Sequence, residues 1–170
     1  MITKPEISHR AAQPYAAIRM QVAIPFGELL VPAWDKVYGW LAAQGVAGGA
    51  SIIRYLTTDM STKLDIEVGA LIDKLIPGNE EIITGTIPAG QFATLLYTGP
   101  YEGDGVYQAN VAIVEWARQN NVVWKTTHID GVEWWDARLE IYLSDPDKEH
   151  DPEKYQTELA FQVEEKQSSQ

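Results

Sequence analysis

The chain reads as an α+β domain of two fused strand–helix–strand–strand modules with an antiparallel sheet. Three observations predict this. Two helical stretches, residues 29–44 and 105–121, each carry one apolar stripe. The runs flanking them are short and alternate apolar with polar residues. The second half of the chain repeats the element order of the first.

Each element has its own justification. In residues 15–24, Tyr15, Ile18, Met20, Val22 and Ile24 give a partly alternating strand, which Pro25, Phe26 and Gly27 end. In residues 29–44, Leu30, Trp34, Val37, Tyr38 and Leu41 fall on one helical face, and Gly45 is placed to cap the C-terminus. Gly48 and Gly49 lead into a strand at 51–56. A polar turn at 57–62 follows, then a strand at 64–71, where Leu64, Ile66, Val68 and Ala70 alternate with Asp65, Glu67 and Gly69. The second module has a strand at 91–98, a break at Thr98-Gly99-Pro100-Tyr101, and a helix whose stripe is Val106, Ala109, Ile113, Trp116 and Ala117. Strands are expected at 122–126 and 138–143, joined by a Trp-rich connection. Residues 157–163 are expected to form a final edge strand, and 164–170 a polar, frayed tail.

The two halves align. Trp40 matches Trp116 near the helix ends, and Glu67 matches Glu140 in what reads as the last strand of each half. Both glutamates lie opposite their strand's aliphatic set. This self-similarity predicts a pseudo-two-fold domain over 1–163, with repeats at about 13–76 and 88–146. A groove between such halves is a common ligand site.

Composition excludes several classes. Hydrophobic residues make up 45% of the 170, enough for a packed core. The absence of cysteine removes disulfides, thiolate chemistry and cysteine-bound zinc. Lys4, Glu6, His9 and Arg10 interrupt any N-terminal apolar run, and no membrane-length apolar stretch occurs. A cytoplasmic location is the default expectation. The net charge of −11 repels a phosphate backbone, so no direct nucleic-acid contact is expected. Six Trp and eight Tyr supply core, or the faces of a pocket for flat or cationic ligands.

Few residues offer chemistry. Glu140, beside Tyr142 and near Trp134 and Trp135, would have a raised pKa if buried. It could then pair with a cation or act as a general base. The ordinary state of such a residue is a solvated carboxylate, here with Arg138 as an available partner. Glu67 has the same two readings, with Asp65 on its face. Two acids alone fall short of a calcium or magnesium site, and His9, His128 and His150 lack ligand spacing, so no metal is expected. The glycines of Gly45-Val46-Ala47-Gly48-Gly49 follow a helix and lack a P-loop lysine. No cofactor is indicated.

Certain segments together resemble the GyrI-like family of small-molecule-binding domains, which occur alone and fused to drug-sensing transcriptional regulators. They are Trp40-Leu41-Ala42-Ala43-Gln44-Gly45, the strand with Tyr55, Asp65-Ile66-Glu67-Val68-Gly69, Ile87-Pro88-Ala89-Gly90, Thr98-Gly99-Pro100-Tyr101 and Glu140-Ile141-Tyr142-Leu143-Ser144-Asp145-Pro146. The ordered set carries the resemblance. It implies helices packed on one side of the sheet and an aromatic-lined central cleft for hydrophobic, often cationic or planar compounds. It implies that Glu140, and not Glu67, lies deep in that cleft. On the binding reading, Tyr55, Tyr97, Tyr101, Tyr142 and Trp134 are the candidate stacking surfaces, and Glu67, from its place in the strand, is a further candidate.

Three functional readings follow from the resemblance. The first is binding of hydrophobic, aromatic or cationic molecules, as in multidrug or effector binding. The second is hydrolysis of cyclopropane-bearing DNA-alkylating compounds with Glu140 as general base. The third is modulation of DNA gyrase by protein contact. The binding module fills nearly the whole chain and leaves no helix-turn-helix. A transcriptional role would therefore need a separate DNA-binding partner. Val132-Glu133-Trp134-Trp135 sets two bulky rings before Glu140, so the pocket's shape is this chain's own.

Overall fold

The computed structural model describes residues 1–165. In chain order the elements are β1 (Glu6–Arg10), β2 (Gln13–Val22), α1 (Leu30–Ala43), β3 (Ser51–Tyr55), β4 (Leu64–Leu71), β5 (Ile83–Ile87), β6 (Gly90–Thr98), α2 (Gly105–Gln119), β7 (Thr126–Ile129), β8 (Val132–Trp135), β9 (Arg138–Tyr142) and β10 (Gln156–Gln162). Eight strands form one antiparallel sheet in the order β1-β6-β10-β9-β3-β4-β2-β5, and β7 with β8 forms a separate hairpin.

The helices form where their stripes predict. Ala33, Val37 and Leu41 are the buried residues of α1, and Ala109, Ile113 and Ala117 those of α2. Both sets follow i, i+4, i+8, which keeps one face toward the sheet. Each buried Val, Leu or Ile contributes about 2 kcal/mol of transfer free energy. Gly45 ends the first helix with φ +71°, the left-handed conformation that suits glycine at this position.

The sheet curls because its connections require it. β5 and β6 stand six strand steps apart in the sheet, about 29 Å if it were flat. Yet only residues 88 and 89 join them, a span of about 11 Å at most. The two ends of the sheet must therefore approach each other. Inside the curl, Tyr15, Ile52, Ile87, Phe92, Leu139, Ile141 and Ala160 form one core. The opposite face carries both helices. There α1 covers Ala16, Ala70 and Ile72, while α2 covers Ala93, Leu95, Leu159 and Phe161.

Several expectations are corrected. Residues 122–125 are not strand. Trp124 makes one isolated bridge to Val163, and regular pairing begins only at Thr126, in the hairpin. That hairpin occupies the expected Trp-rich connection. β10 is not an edge strand but lies between β6 and β9. The true edges are β1 and β5, whose polar sequences hid them. β6, β10 and β9 take, in one half of the sheet, the places that β2, β4 and β3 take in the other. The strands of that half of the sheet run on to Gln162. The expected tail at 164–170 lies outside the described residues from 166 onward, and the Glu164 amide donates to the Val123 carbonyl at 2.8 Å.

Candidate functional site

The two helices leave the centre of the sheet between them. α1 packs on β2 and β4, and α2 on β6 and β10. The central pair, β3 and β9, lies in the gap. Above it is an open cavity of about 400 Å³, a size suited to small molecules. Ile53, Arg138, Glu140 and Tyr142 form its floor. Phe26 and Leu30 line one wall, Val106 and Asn110 the other, with Tyr55, Tyr101 and Met60 completing it.

The pleat brings these side chains together. Arg138, Glu140 and Tyr142 alternate along β9, so all three face the helices. Ile53 pairs directly with Glu140 across the centre. Asn110 comes from α2, one turn after Val106, whose carbonyl accepts a bond from the Asn110 amide at 2.9 Å. The Asn110 side chain thus reaches the floor from above.

Glu140 is 5% exposed. Its Oε1 accepts hydrogen bonds from the Tyr142 hydroxyl at 2.7 Å and the Tyr55 hydroxyl at 3.1 Å, and its Oε2 accepts one from Asn110 Nδ2 at 3.0 Å. Burial pushes its pKa above the usual carboxylate range. Bonds from Tyr142, Asn110 and Tyr55, and the charge of Arg138, pull it only partly back. Burial, and then the neighbouring Glu140 charge, hold both tyrosines well above the ordinary phenol value, so they remain donors. Tyr142 also meets Trp34 and Tyr101 edge to face, at centroid distances of 5.4 and 5.2 Å.

Of the seven residues singled out from sequence, four meet here: Glu140, Tyr142, Tyr55 and Tyr101. The other three lie elsewhere. The Tyr97 hydroxyl tucks under the start of α2 and donates to the Pro100 carbonyl at 3.2 Å. Trp134 sits on the hairpin with Arg19 over its ring at 5.9 Å. Glu67 projects from the other face of the sheet, where Tyr15 donates to it at 2.8 Å and Arg54 at 3.4 Å. Sequence reasoning missed Asn110, a polar residue on the otherwise apolar stripe of α2. That misplacement was the available signal. It also read Arg138 only as a surface partner.

Three surface grooves are larger, about 640, 450 and 680 Å³. The second borders the buried Asp65, which Arg19 already pairs at 3.1 Å, and the third borders Tyr142. The central cavity brings the buried Glu140 carboxyl and the Arg138 guanidinium together with aromatic rings, so it is the better candidate. Among the described residues, no group of His, Asp or Glu is placed to hold a metal ion. No helix among them is long and apolar enough to cross a membrane.

The family model described as a GyrI-like small molecule binding domain matches residues 3–164. The chain belongs to this family. Its members' fold is the one seen here. The chain is similar to EcmrR in its DNA complex, with a TM-score of 0.77 at 18% identity, covering 96% of this chain and 58% of that one. It thus spans little more than half of the EcmrR chain. The EcmrR C-terminal domain alone matches with a TM-score of 0.73 at 19% identity, over 96% of this chain and 98% of that one. SAV2435 bound to tetraphenylphosphonium matches with a TM-score of 0.59 at 13% identity, over 95% and 94% of the two chains. A hydrolase from Listeria innocua gives 0.59 at 13% identity, over 95% and 92%. No curated protein matches the chain in sequence.

Proposed function

We propose that this GyrI-like domain binds hydrophobic aromatic or cationic molecules in the central cavity, with Glu140 as the charge that meets a cation. The observation that carries this reading is the burial of the Glu140 carboxylate on a floor of aromatic rings. A carboxylate withdrawn from water has lost favourable hydration, and a bulky organic cation restores an opposite charge. Such a cation is itself weakly hydrated, so its transfer costs little. The rings of Phe26, Tyr55, Tyr101 and Tyr142 offer π faces to the same charge. Tetraphenylphosphonium, held by the SAV2435 neighbour, is a ligand of this type. Titration calorimetry with tetraphenylphosphonium tests the reading. The expected result is saturable one-to-one binding that Glu140→Gln weakens at least tenfold. Equal binding by the variant contradicts it.

Hydrolysis is the second reading, favoured by the state of the same carboxyl. Its raised pKa makes the carboxylate a stronger base than an ordinary one, and Oε2, with one hydrogen bond, retains capacity to accept a water proton. The Listeria innocua neighbour described as a hydrolase lends the reading a second support. Incubation with a cyclopropyl-indole alkylator, followed by mass spectrometry, tests it. Turnover above the uncatalysed rate that disappears in Glu140→Gln is expected. No turnover removes hydrolysis of that compound class.

A further inference from the structure

We propose that Arg138 is a second ligand-binding residue of the cavity, and that the ligands this chain selects carry an oxygen acceptor, above all a carboxylate, beside their cationic or aromatic part. The inference rests on the cavity-binding reading above and extends it from one charge to two.

Arg138 and Glu140 stand two residues apart on β9, so both side chains leave the same face of the sheet, and both line the cavity. They do not form a salt bridge. Asn110 stands between them: its Oδ1 accepts from Arg138 Nη2 at 3.2 Å while its Nδ2 donates to Glu140 at 3.0 Å. One amide thus uses both ends to hold opposite charges apart. The cavity is therefore bipolar, not simply negative.

The guanidinium is fixed in place but poorly satisfied. It lies over the rings of Trp135 and Phe161, at 4.6 and 4.3 Å from their centroids. These contacts fix its plane without engaging its N–H groups. Its Nε is buried with no acceptor, and its recorded hydrogen bond among the described residues is the one to Asn110. A buried guanidinium carries five donors, and leaving them unmet is unfavourable. Burial pushes its pKa down to about 10, which still leaves it charged at neutral pH. A ligand that is only a cation meets this charge as repulsion. A ligand oxygen converts it into a charge-assisted hydrogen bond, the stronger kind.

Benzyltrimethylammonium and its 2-, 3- and 4-carboxylate derivatives separate the terms by titration calorimetry on the full chain. At least one carboxylate isomer is expected to bind roughly tenfold more tightly than the parent, as one added charge-assisted bond predicts. Arg138→Met should remove that advantage while the parent cation binds as well or better. Arg138→Lys should keep part of it. If no isomer exceeds the parent in the wild type, or if the advantage survives Arg138→Met, the assignment is overturned. A merely structural Arg138 would instead weaken all four ligands alike on replacement. If Arg138→Met fails to fold, Arg138→Lys carries the test of the residue, and an advantage left whole in that variant overturns the assignment. Failure of the parent cation to bind, or its indifference to Glu140→Gln, overturns the cavity reading itself and this inference with it.

Discussion

Glu67 and Glu140, the two strand glutamates that the sequence aligns, project from opposite faces of one sheet. Their neighbours on β3 show it: Arg54 pairs with Glu67 and the adjacent Ile53 pairs with Glu140. Successive residues of a strand point to opposite faces. Glu140 therefore faces the helices and the cavity, while Glu67 faces the interior of the curl. There Arg54 Nη1 donates to the Tyr15 hydroxyl at 2.9 Å, and its Nη2 to the Asp136 carbonyl at 2.6 Å. Burial, then the Glu67 charge, pushes Tyr15 up to about 12.

This division predicts a separation of stability from binding. Arg54→Met leaves the Glu67 carboxylate buried with only Tyr15 as donor. Loss of one partner of a buried pair should lower unfolding free energy by about 3 kcal/mol, read by urea denaturation. Affinity of the folded variant for tetraphenylphosphonium should be unchanged. A stable variant with lost binding would place Glu67 in the functional machinery after all.

The direction of Glu140's shift sets the pH dependence of cation binding. Its pKa is raised, so protonation begins at a higher pH than for an ordinary carboxyl. A cation prefers the ionised form. Affinity should therefore be full above the raised pKa and fall as pH drops through it, about tenfold per unit below. Binding from below that pKa should release a proton, measurable by calorimetry in buffers of different ionisation enthalpy. A flat pH profile for a cation contradicts the charge role.

Tyr142→Phe should move that profile in a defined direction. The Tyr142 hydroxyl is the shortest donor to Glu140, at 2.7 Å, and its bond lowers the glutamate's pKa. Phenylalanine keeps the ring that meets Trp34 and Tyr101 but removes the bond. The pH midpoint for cation binding should shift upward, while neutral aromatic ligands lose little. Titration of affinity against pH in the two proteins checks this.

Gly105→Ala probes how the second helix is seated. A Cβ at this position would collide with the Tyr97 ring and hydroxyl. The first turn of α2 must then shift, and with it Val106 and Asn110 at the cavity wall. A stability loss of about 1–3 kcal/mol is expected, together with weaker ligand binding. Gly103, with nothing near its added Cβ, is unsuitable as a control because its φ of +90° penalises alanine directly. Gly39, open and helical, is the proper comparison and should gain stability on replacement by alanine.

The sequence made the helices legible because their signal is local. Val37 and Leu41, and likewise Ala109, Ile113 and Ala117, announce a buried stripe at fixed spacing. β1 and β5 were not legible. Sequences such as EISHR and ITGTI suit edge strands whose pairing partners lie far along the chain. The site followed the same division. Tyr55, Glu140 and Tyr142 lie on the two central strands, where face alternation places them together. Tyr97 has the right face but the wrong neighbour, since α2 begins directly above it. The equivalence of Glu67 with Glu140 failed because β9 takes the place of β3 and not of β4, which a linear alignment of halves cannot reveal.

The central claim is that the Glu140 carboxylate recognises charge. Benzyltrimethylammonium and neopentylbenzene have nearly the same shape and differ by one positive charge. Their affinities for the wild type and for Glu140→Gln, measured by displacement of a common fluorescent ligand at pH 8, form a complete cycle. The account predicts that the substitution weakens the ammonium at least tenfold and changes the hydrocarbon by less than about twofold. Equal losses for both ligands would mean that Glu140 shapes the cavity without reading charge, and would contradict the account.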